Sequence, residues 1–259
     1  MHFLDILIYS MIQGVSEFLP ISSSAHLYVA EIFLDWNEKG VTFALAAHLG
    51  TLLAVSLFEK NELIWNFKKL LLNKKQKNIL ILIILCVLPV IVVGLIIIIF
   101  FENNYSFGIL TIAIASIAGA VLLELSDRDK EQLKIKDTLL LRDCVFIGLF
   151  QILSLIPGMS RAGTVITASR FLGYTRVFSI KLALLTSIPI IFMASSYGLY
   201  KLLISGQQIY LSFFFITFTT FVISFFSIKF LLKWINFFSF RIFVIYRLCF
   251  GTILLVMLF

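Results

Sequence analysis

The chain has 259 residues, of which 61% are hydrophobic and 14% are charged, and its mean hydropathy is +1.06. Because soluble domains carry about 25% charged residues, this composition excludes a soluble globular protein and predicts a polytopic membrane protein. The formal net charge of +7 is expected to reside in basic cytoplasmic loops, so we predict no nucleic-acid partner.

The apolar segments of the chain have two lengths. A short run at 3–12 is followed by Pro20 and hydroxyl-rich sequence, and a second short run at 144–156 is followed by Pro157 and similar sequence. Broken apolar segments of this kind are typical of re-entrant helix pairs. Six other runs reach the length of about 17–25 residues that a span needs: 41–58, 79–101, 107–125, 182–200, 209–228 and 242–259.

The order of these segments predicts an internal duplication within one integral membrane domain, residues 1–259. Residues 1–125 and 138–259 each contain a re-entrant pair followed by three spans. A re-entrant pair returns to its own side and three spans cross an odd number of times, so the second repeat must be inverted. The expected fold class is an all-α polytopic membrane protein with an inverted-topology repeat, six transmembrane helices and two re-entrant helix pairs.

Basic residues indicate the orientation of this topology. If the first re-entrant pair opens outward, the outer loops contain only Lys39 and Lys201. The positive-inside rule favours that orientation, because the inner loops and inner helix ends contain Lys60, Lys68, Lys69, Lys74, Lys75, Lys77, Arg128, Lys130, Lys134, Lys136, Arg176, Lys181, Lys229, Lys233 and Arg241. The two pairs then enter from opposite faces, and their tips can meet near the midplane.

The two helix breaks hold most of the polar side chains outside the loops. The first break supplies a carboxylate, three hydroxyls and an imidazole: Glu17, Ser22, Ser23, Ser24 and His26. The second supplies two hydroxyls and a guanidinium: Ser160, Thr164 and Arg161. Helix N-termini attract anions, and the planar fork of arginine suits phosphate. The combination is typical of phosphoryl transfer.

Each of these side chains also has a structural alternative. The serines could be a close-packing surface, Glu17 and Arg161 could be a structural ion pair, and His26 could cap a backbone carbonyl. Three nucleophiles fit the sequence: Ser23 with Glu17 as base, His26 forming a phosphohistidine, or a water activated by Glu17.

Two further polar residues lie within apolar runs. His48 in "LAAHLGT" is expected to pack in the core or to contact site residues without touching the substrate. Arg247 in "VIYRLCFG" needs a buried partner and is expected to support the site without touching the substrate.

The segments "QGVSEFLPISSSAHL" and "PGMSRAGT" resemble the two signature regions of the undecaprenyl-diphosphate phosphatase family, the bacitracin-resistance family BacA. "HLGTLLAV" and "FVIYR" extend the resemblance over essentially the whole chain. The resemblance implies catalytic roles for Glu17, Ser23, His26 and Arg161, and substrate contacts from Gln13, Ser22, Ser24, Ser160 and Thr164.

The chain departs from the family pattern at two positions. Ala162 stands where the family has a second serine, and Val165 stands where it has a threonine, with Thr164 one position early. The first-motif position that can be glutamate or glutamine in the family is Gln13 in this chain. Glu17 is therefore the single acid of that motif, which rules out any mechanism that needs two.

The resemblance implies hydrolysis of undecaprenyl diphosphate to undecaprenyl phosphate and inorganic phosphate. That reaction recycles the lipid carrier of peptidoglycan synthesis and gives bacitracin resistance. The resemblance also implies a multi-pass protein of the bacterial inner membrane whose site faces outward. The expected partners are the polyprenyl diphosphate substrate, membrane lipids and a second copy in a homodimer, with Mg²⁺ or Ca²⁺ as the cofactors to consider. The alternative function is an inverted-repeat transporter or flippase for the polyprenyl phosphate carrier or another anion.

The charge asymmetry generates a prediction about topology. Single cysteines at Lys74 and Asn104, treated in intact cells with an impermeant thiol reagent, should be labelled at position 104 and protected at position 74. Labelling in the reverse pattern would overturn the orientation and the inverted-repeat argument with it.

Overall fold

A computed structural model describes residues 3–34, 36, 41–71, 79–101, 107–128, 139–205 and 208–258. Within these ranges the chain forms helices and no strand, which confirms the all-α class. The helices are α1 (Phe3–Ser16), α2 (Ser23–Phe33), α3 (Val41–Phe58), α4 (Lys60–Leu71), α5 (Ile79–Phe101), α6 (Ile109–Asp127), α7 (Leu141–Gln151), α8 (Arg161–Phe171), α9 (Arg176–Ser205), α10 (Leu211–Ile235) and α11 (Arg241–Val256). A 3₁₀ turn, Ile152–Leu155, follows α7.

The two predicted re-entrant pairs are pairs of short helices. Helix α1 has 14 residues, and α2, α7 and α8 have 11 each. At 1.5 Å per residue they are about 16–21 Å long, which is less than the roughly 30 Å of hydrocarbon in a bilayer. The members of each pair pack on one another across a non-helical break. The lengths and contacts agree with the re-entrant interpretation.

The spans agree in part with the sequence. Helices α3, α5, α6, α9 and α10 are long and apolar enough to cross a membrane. The sixth predicted span, 242–259, corresponds to α11, whose 16 residues are fewer than an unstrained span requires. It stays a prediction as a span, and the described chain forms a multi-pass membrane domain.

One helix boundary and one additional helix differ from the sequence interpretation. Helix α9 runs for 30 residues from Arg176, well before the predicted start at residue 182, because Thr175 accepts a hydrogen bond from the Phe178 N–H and caps the helix. The first basic loop also contains a helix, α4, which was not predicted. Glu62 of α4 lies 3.3 Å from Lys181 of α9, so both helix ends are on one side of the protein.

Each re-entrant pair packs on a span from the other half of the chain. Helix α1 packs on α10, and α7 packs on α5, while α3 contacts α9 and α6 contacts α11. The approach is close: a Cβ on Gly148 of α7 would lie 2.8 Å from the carbonyl oxygen of Cys86 in α5. This exchange of contacts is the pattern that an inverted repeat would give, although the repeat boundaries at 125 and 138 stay predictions.

Buried charges tie four helices together on the side where α4 lies. The Asp127 carboxylate accepts hydrogen bonds from Arg170 Nε at 3.0 Å and from Arg176 Nη2 at 2.8 Å, and its Oδ2 lies 3.4 Å from the Phe240 N–H. These contacts join α6, α8, α9 and the start of α11. Several residues used for the orientation lie outside the described residues: Lys39, Lys74, Lys75, Lys77, Asn103, Asn104, Lys130, Lys134 and Lys136.

Candidate active site

The two helix breaks have the same local backbone. Ser22 and Ser160 precede α2 and α8 with φ of 75° and 65°, a left-handed conformation that is uncommon for residues other than glycine. The breaks touch, because the Gly158 N–H donates to Ser22 Oγ at 3.2 Å. The tips of the two re-entrant pairs therefore meet, as the sequence predicted.

Glu17 is the centre of the polar contacts between the tips. Its Oε1 accepts a hydrogen bond from Arg161 Nη2 at 2.7 Å. Its Oε2 accepts one from Ser23 Oγ at 2.7 Å and one from Gln13 Nε2 at 3.0 Å. The exposed fraction of the Glu17 side chain is 8% and that of Arg161 is 12%. The structure thus brings together four residues that the sequence singled out, from both halves of the chain.

A cavity of about 210 Å³ opens beside this cluster. Glu17, Ser23 and Arg161 line it together with Ser22, Ser24 and Ser160. Apolar residues of α5 and α9 form another part of its wall: Val90, Ile190, Ile191 and Ala194. Pockets for drug-sized ligands measure about 300–1,000 Å³. This cavity therefore has room for a phosphate-sized group next to a cation, an acid and several hydroxyls.

His26 points away from the cluster. Its Nδ1 lies 2.7 Å from the Ser22 carbonyl oxygen, and its Nε2 lies 2.6 Å from the Tyr246 hydroxyl. The imidazole stacks on Phe250 with ring centroids 4.4 Å apart. Among the predicted alternatives, this geometry matches a histidine that caps a backbone carbonyl.

Thr164 is also turned aside. It is buried, and its hydroxyl donates to the Arg161 carbonyl oxygen at 2.8 Å. Ser160 keeps a place at the cavity, where its Oγ accepts the Gly163 N–H at 3.1 Å and caps α8. The two departures from the family pattern, Ala162 and Val165, are buried in the largest apolar cluster, so their missing hydroxyls are replaced by packing.

Two cavity residues were not assigned to the site from the sequence. His48 of α3 was expected to pack or to support the site, but it lines the cavity, with its Nδ1 2.7 Å from the Ala44 carbonyl oxygen. Ser154 of the 3₁₀ turn lines it too. Ser154 follows Gln151 by three residues, as Ser16 follows Gln13, and that repetition was the signal available for it.

The donor set limits how a metal could bind. Glu17 is the one acid among the residues that line the cavity. Within the described ranges no group of three or more His, Cys, Asp or Glu side chains could hold a metal ion. A cage made only of protein ligands therefore does not fit the described part of this site.

The fold and the site together define an integral membrane protein in which two helix breaks enclose an arginine–glutamate–serine centre suited to an anionic phosphate. The family described as bacitracin resistance protein BacA matches residues 6–253, and the chain belongs to this family. It is 38% identical over 260 residues to the undecaprenyl-diphosphatase of Pelagibacter ubique, covering 99% of this chain and 98% of that protein. It is 36% identical over 252 residues to the undecaprenyl-diphosphatase of Aliivibrio salmonicida, covering 95% and 94%.

The buried ion pair generates a prediction about stability. Arg161→Met should lower the free energy of unfolding by about 3–5 kcal/mol, because Glu17 is left buried without its cation. Adding Glu17→Gln should recover most of that loss. Thermal unfolding in detergent measures both effects, with Arg241→Met as the control because the Arg241 side chain is 72% exposed and that of its partner Glu124 is 23% exposed. Equal unfolding temperatures for wild type and Arg161→Met would show that the pair contributes no stability.

Proposed function

We propose that this chain hydrolyses undecaprenyl diphosphate to undecaprenyl phosphate and inorganic phosphate. The observation that carries the proposal is the 2.7 Å hydrogen bond from Ser23 Oγ to Glu17 Oε2, beside the Arg161 guanidinium. A hydroxyl in contact with a carboxylate is an activated nucleophile, and the names of the two relatives support this substrate. The reaction would recycle the lipid carrier for peptidoglycan synthesis. We assign bacitracin resistance to this chain because of that recycling.

Arg161 has two partners in this mechanism. Without substrate its guanidinium binds Glu17, and the terminal phosphate of the substrate competes for the same donors. When the phosphate binds Arg161 in a bidentate manner, Glu17 is released from the ion pair and keeps its contact with Ser23. Substrate binding thereby turns a structural carboxylate into an available base.

Ser23 then acts as the nucleophile. Its Oγ attacks the terminal phosphorus as Glu17 takes the hydroxyl proton, and the bond from that phosphorus to the bridging oxygen breaks. Undecaprenyl phosphate departs with the proton handed on from Glu17, and a phosphoserine is left. A water molecule attacks the phosphoserine and gives a proton to Glu17, which returns it to Ser23 Oγ as inorganic phosphate leaves. Arg161 stabilises the negative charge on the transferring group throughout.

The remaining predicted residues have supporting roles in the proposal. Gln13 holds Glu17 Oε2 in place, and Ser22, Ser24 and Ser160 present oxygens to the cavity. His26 fixes the Ser22 carbonyl. A substrate contact from Thr164 stays a prediction, because its hydroxyl is occupied by the Arg161 carbonyl.

A divalent cation fits the proposal only as a companion of the substrate. Mg²⁺ is commonly held by one or two carboxylates, several waters and substrate phosphates. Glu17 would be its single carboxylate ligand here, with the diphosphate supplying other oxygens, and the same holds for Ca²⁺. The cation would neutralise charge on the diphosphate.

We place the protein in the bacterial inner membrane with the Glu17 cavity open to the outside. The support is the charge distribution: Arg170, Arg176 and Arg241 lie on the side of α4, and Lys201 lies at the opposite end of α9. The positive-inside rule makes the α4 side cytoplasmic. A homodimer stays a prediction. Transport by the same inverted repeat is less well supported, because binding an anion for transport needs no serine paired with a base.

The polyprenyl chain needs an apolar site that the 210 Å³ cavity cannot provide. A second groove, of about 410 Å³, is lined by residues of α3, α4, α5 and α9, including Ile84, Ile188, Pro189 and Phe192. Residues 190, 191 and 194 of the same helix line the polar cavity, so the two spaces share α9 as a wall. We assign the groove to the part of the isoprenyl chain nearest the diphosphate.

The nucleophile can be tested with substrate carrying ³²P in its terminal phosphate. Rapid quenching should trap label on wild-type protein and on His26→Ala, and no label on Ser23→Ala. Glu17→Gln should reduce phosphate release by about 10²–10⁴-fold, the usual cost of losing a general base, without unfolding the protein. Acid-labile label that survives in Ser23→Ala and disappears in His26→Ala would assign the nucleophile to the histidine.

The groove assignment predicts a dependence on chain length. Ile84→Trp should lower kcat/KM for undecaprenyl diphosphate roughly tenfold, the loss expected when about two CH₂ groups are displaced at about 0.8 kcal/mol each. Hydrolysis of dimethylallyl diphosphate, whose single isoprene unit is too short to fill the groove, should change little. Ile114→Trp on α6 is the matched control, because Ile84 and Ile114 are 56% and 55% exposed. An equal loss on both substrates would remove the groove from chain binding.

A further inference from the structure

Arg247 is the largest fully buried side chain of the described protein and has no role in the mechanism above. It lies within α11 and is 1% exposed. Its hydrogen-bond acceptors in the described part of the chain are four main-chain carbonyl oxygens, those of Pro20, Ala115, Gly158 and Met159. A buried guanidinium is costly in a membrane protein unless it has partners or a function, and here the partners are backbone.

The carbonyls that Arg247 binds come from both helix breaks. Nη1 donates to Pro20 at 3.3 Å, and Nη2 donates to Gly158 at 2.8 Å and to Met159 at 3.1 Å. Pro20 and Gly158 occupy matching positions, each two residues before the serine with positive φ. A helix break leaves carbonyls without an intrahelical partner, and a single side chain satisfies the two that correspond.

The surrounding sequence leaves room for this guanidinium. A Cβ on Gly119 of α6 would lie 2.0 Å from Arg247 Nη2, and one on Gly163 of α8 would lie 3.1 Å from Nη1. A side chain at position 119 would therefore displace the guanidinium of Arg247. The preceding residue of α11, Tyr246, holds His26, which in turn holds the Ser22 carbonyl. Two consecutive residues of α11 thus hold the backbone of the breaks.

We propose that Arg247 is the positioning residue that sets the distance between the two breaks, and hence between Ser23 and Glu17 on one side and Arg161 on the other. The expected effect on kcat rests on the proposed function, whereas the expected effect on the distance between the breaks rests on the structure alone. Arg161 and Glu17 belong to different breaks, and their contact is 2.7 Å. Phosphate held by Arg161 is aligned with Ser23 only while the breaks keep this separation.

Three variants separate bridging from charge. Arg247→Lys keeps a cation and loses the planar fork that reaches both breaks. Gly119→Ala keeps Arg247 itself and displaces its guanidinium, while alanine is favourable elsewhere in a helix. Arg247→Met removes both charge and bridge. Arg241→Met is the matched control, because Arg241 lies on the same helix, is exposed, and pairs with Glu124 at 3.3 Å away from the breaks.

We expect Arg247→Lys and Gly119→Ala to lower kcat for undecaprenyl diphosphate by about 10²-fold, the loss that a misplacement of about 1 Å can cause. The unfolding temperature of Gly119→Ala should fall less than that of Arg247→Met, because the cation is kept and only shifted, and Arg241→Met should keep wild-type kcat. If Arg247→Met fails to fold, the decision rests on Gly119→Ala. Unchanged kcat in folded Gly119→Ala and Arg247→Lys would overturn the proposal.

The geometry has a readout that needs no substrate. Spin labels at Ile32→Cys on α2 and Phe171→Cys on α8 report the distance between the two re-entrant pairs by pulsed electron paramagnetic resonance. The background is Cys249→Ser, because Cys249 is exposed whereas Cys86 and Cys144 are buried. The distribution should be narrow in wild type and Arg241→Met, and broadened or displaced in Gly119→Ala and Arg247→Lys. Loss of kcat with an unchanged distribution, or a broadened distribution with unchanged kcat, would each overturn the positioning role. A wild type that releases no phosphate would defeat the proposed function and leave the distance result standing.

Discussion

Backbone at membrane depth must find its hydrogen-bond partners within the protein, and the rest of this structure depends on that constraint. Two helices are interrupted, at 17–22 and at 152–160, and each interruption frees carbonyl and N–H groups. Ser160 caps its own helix, and Ser22 accepts a hydrogen bond from an N–H of the opposite break. Arg247 donates hydrogen bonds to carbonyl oxygens of both breaks. The partners that satisfy each break thus include groups of the other break and of α11 besides local caps. The polar site is located where these exchanges occur.

The two halves have similar breaks and different chemistry. Gln13 and Gln151 each stand nine residues before the positive-φ serine, and both are buried. Four residues after Gln13 comes Glu17, whereas four residues after Gln151 comes Leu155. The Gln13 amide therefore binds a carboxylate, and the buried Gln151 amide has no hydrogen-bond partner among the described residues. One half supplies the acid and the hydroxyl, and the other supplies the guanidinium.

Much of this arrangement could be predicted from the sequence, and the features that could not be predicted share one cause. Length and hydropathy located the short helices and most spans, and proline with serine located both breaks. The cluster of Glu17, Ser23 and Arg161 followed because polar side chains are rare at that depth. The direction of His26 did not follow, because it depends on Tyr246 and Phe250, which are more than two hundred residues away in the chain. Likewise the partners of Arg247 are backbone carbonyls, which carry no sequence signature.

The ion pair between Glu17 and Arg161 reconciles the structural and functional interpretations of these two residues. Neither charge could be left alone at this depth without a large cost, so the substrate-free protein needs the pair for its own stability. In the proposed mechanism, the phosphate that binds Arg161 replaces Glu17 as the counter-charge, and the carboxylate then has Ser23 as its remaining close donor besides Gln13. A neutral ligand could not make this exchange, because it would leave Arg161 uncompensated. In that mechanism, the electrostatic requirement that holds the two breaks together without substrate also selects an anionic substrate and prepares the base for it.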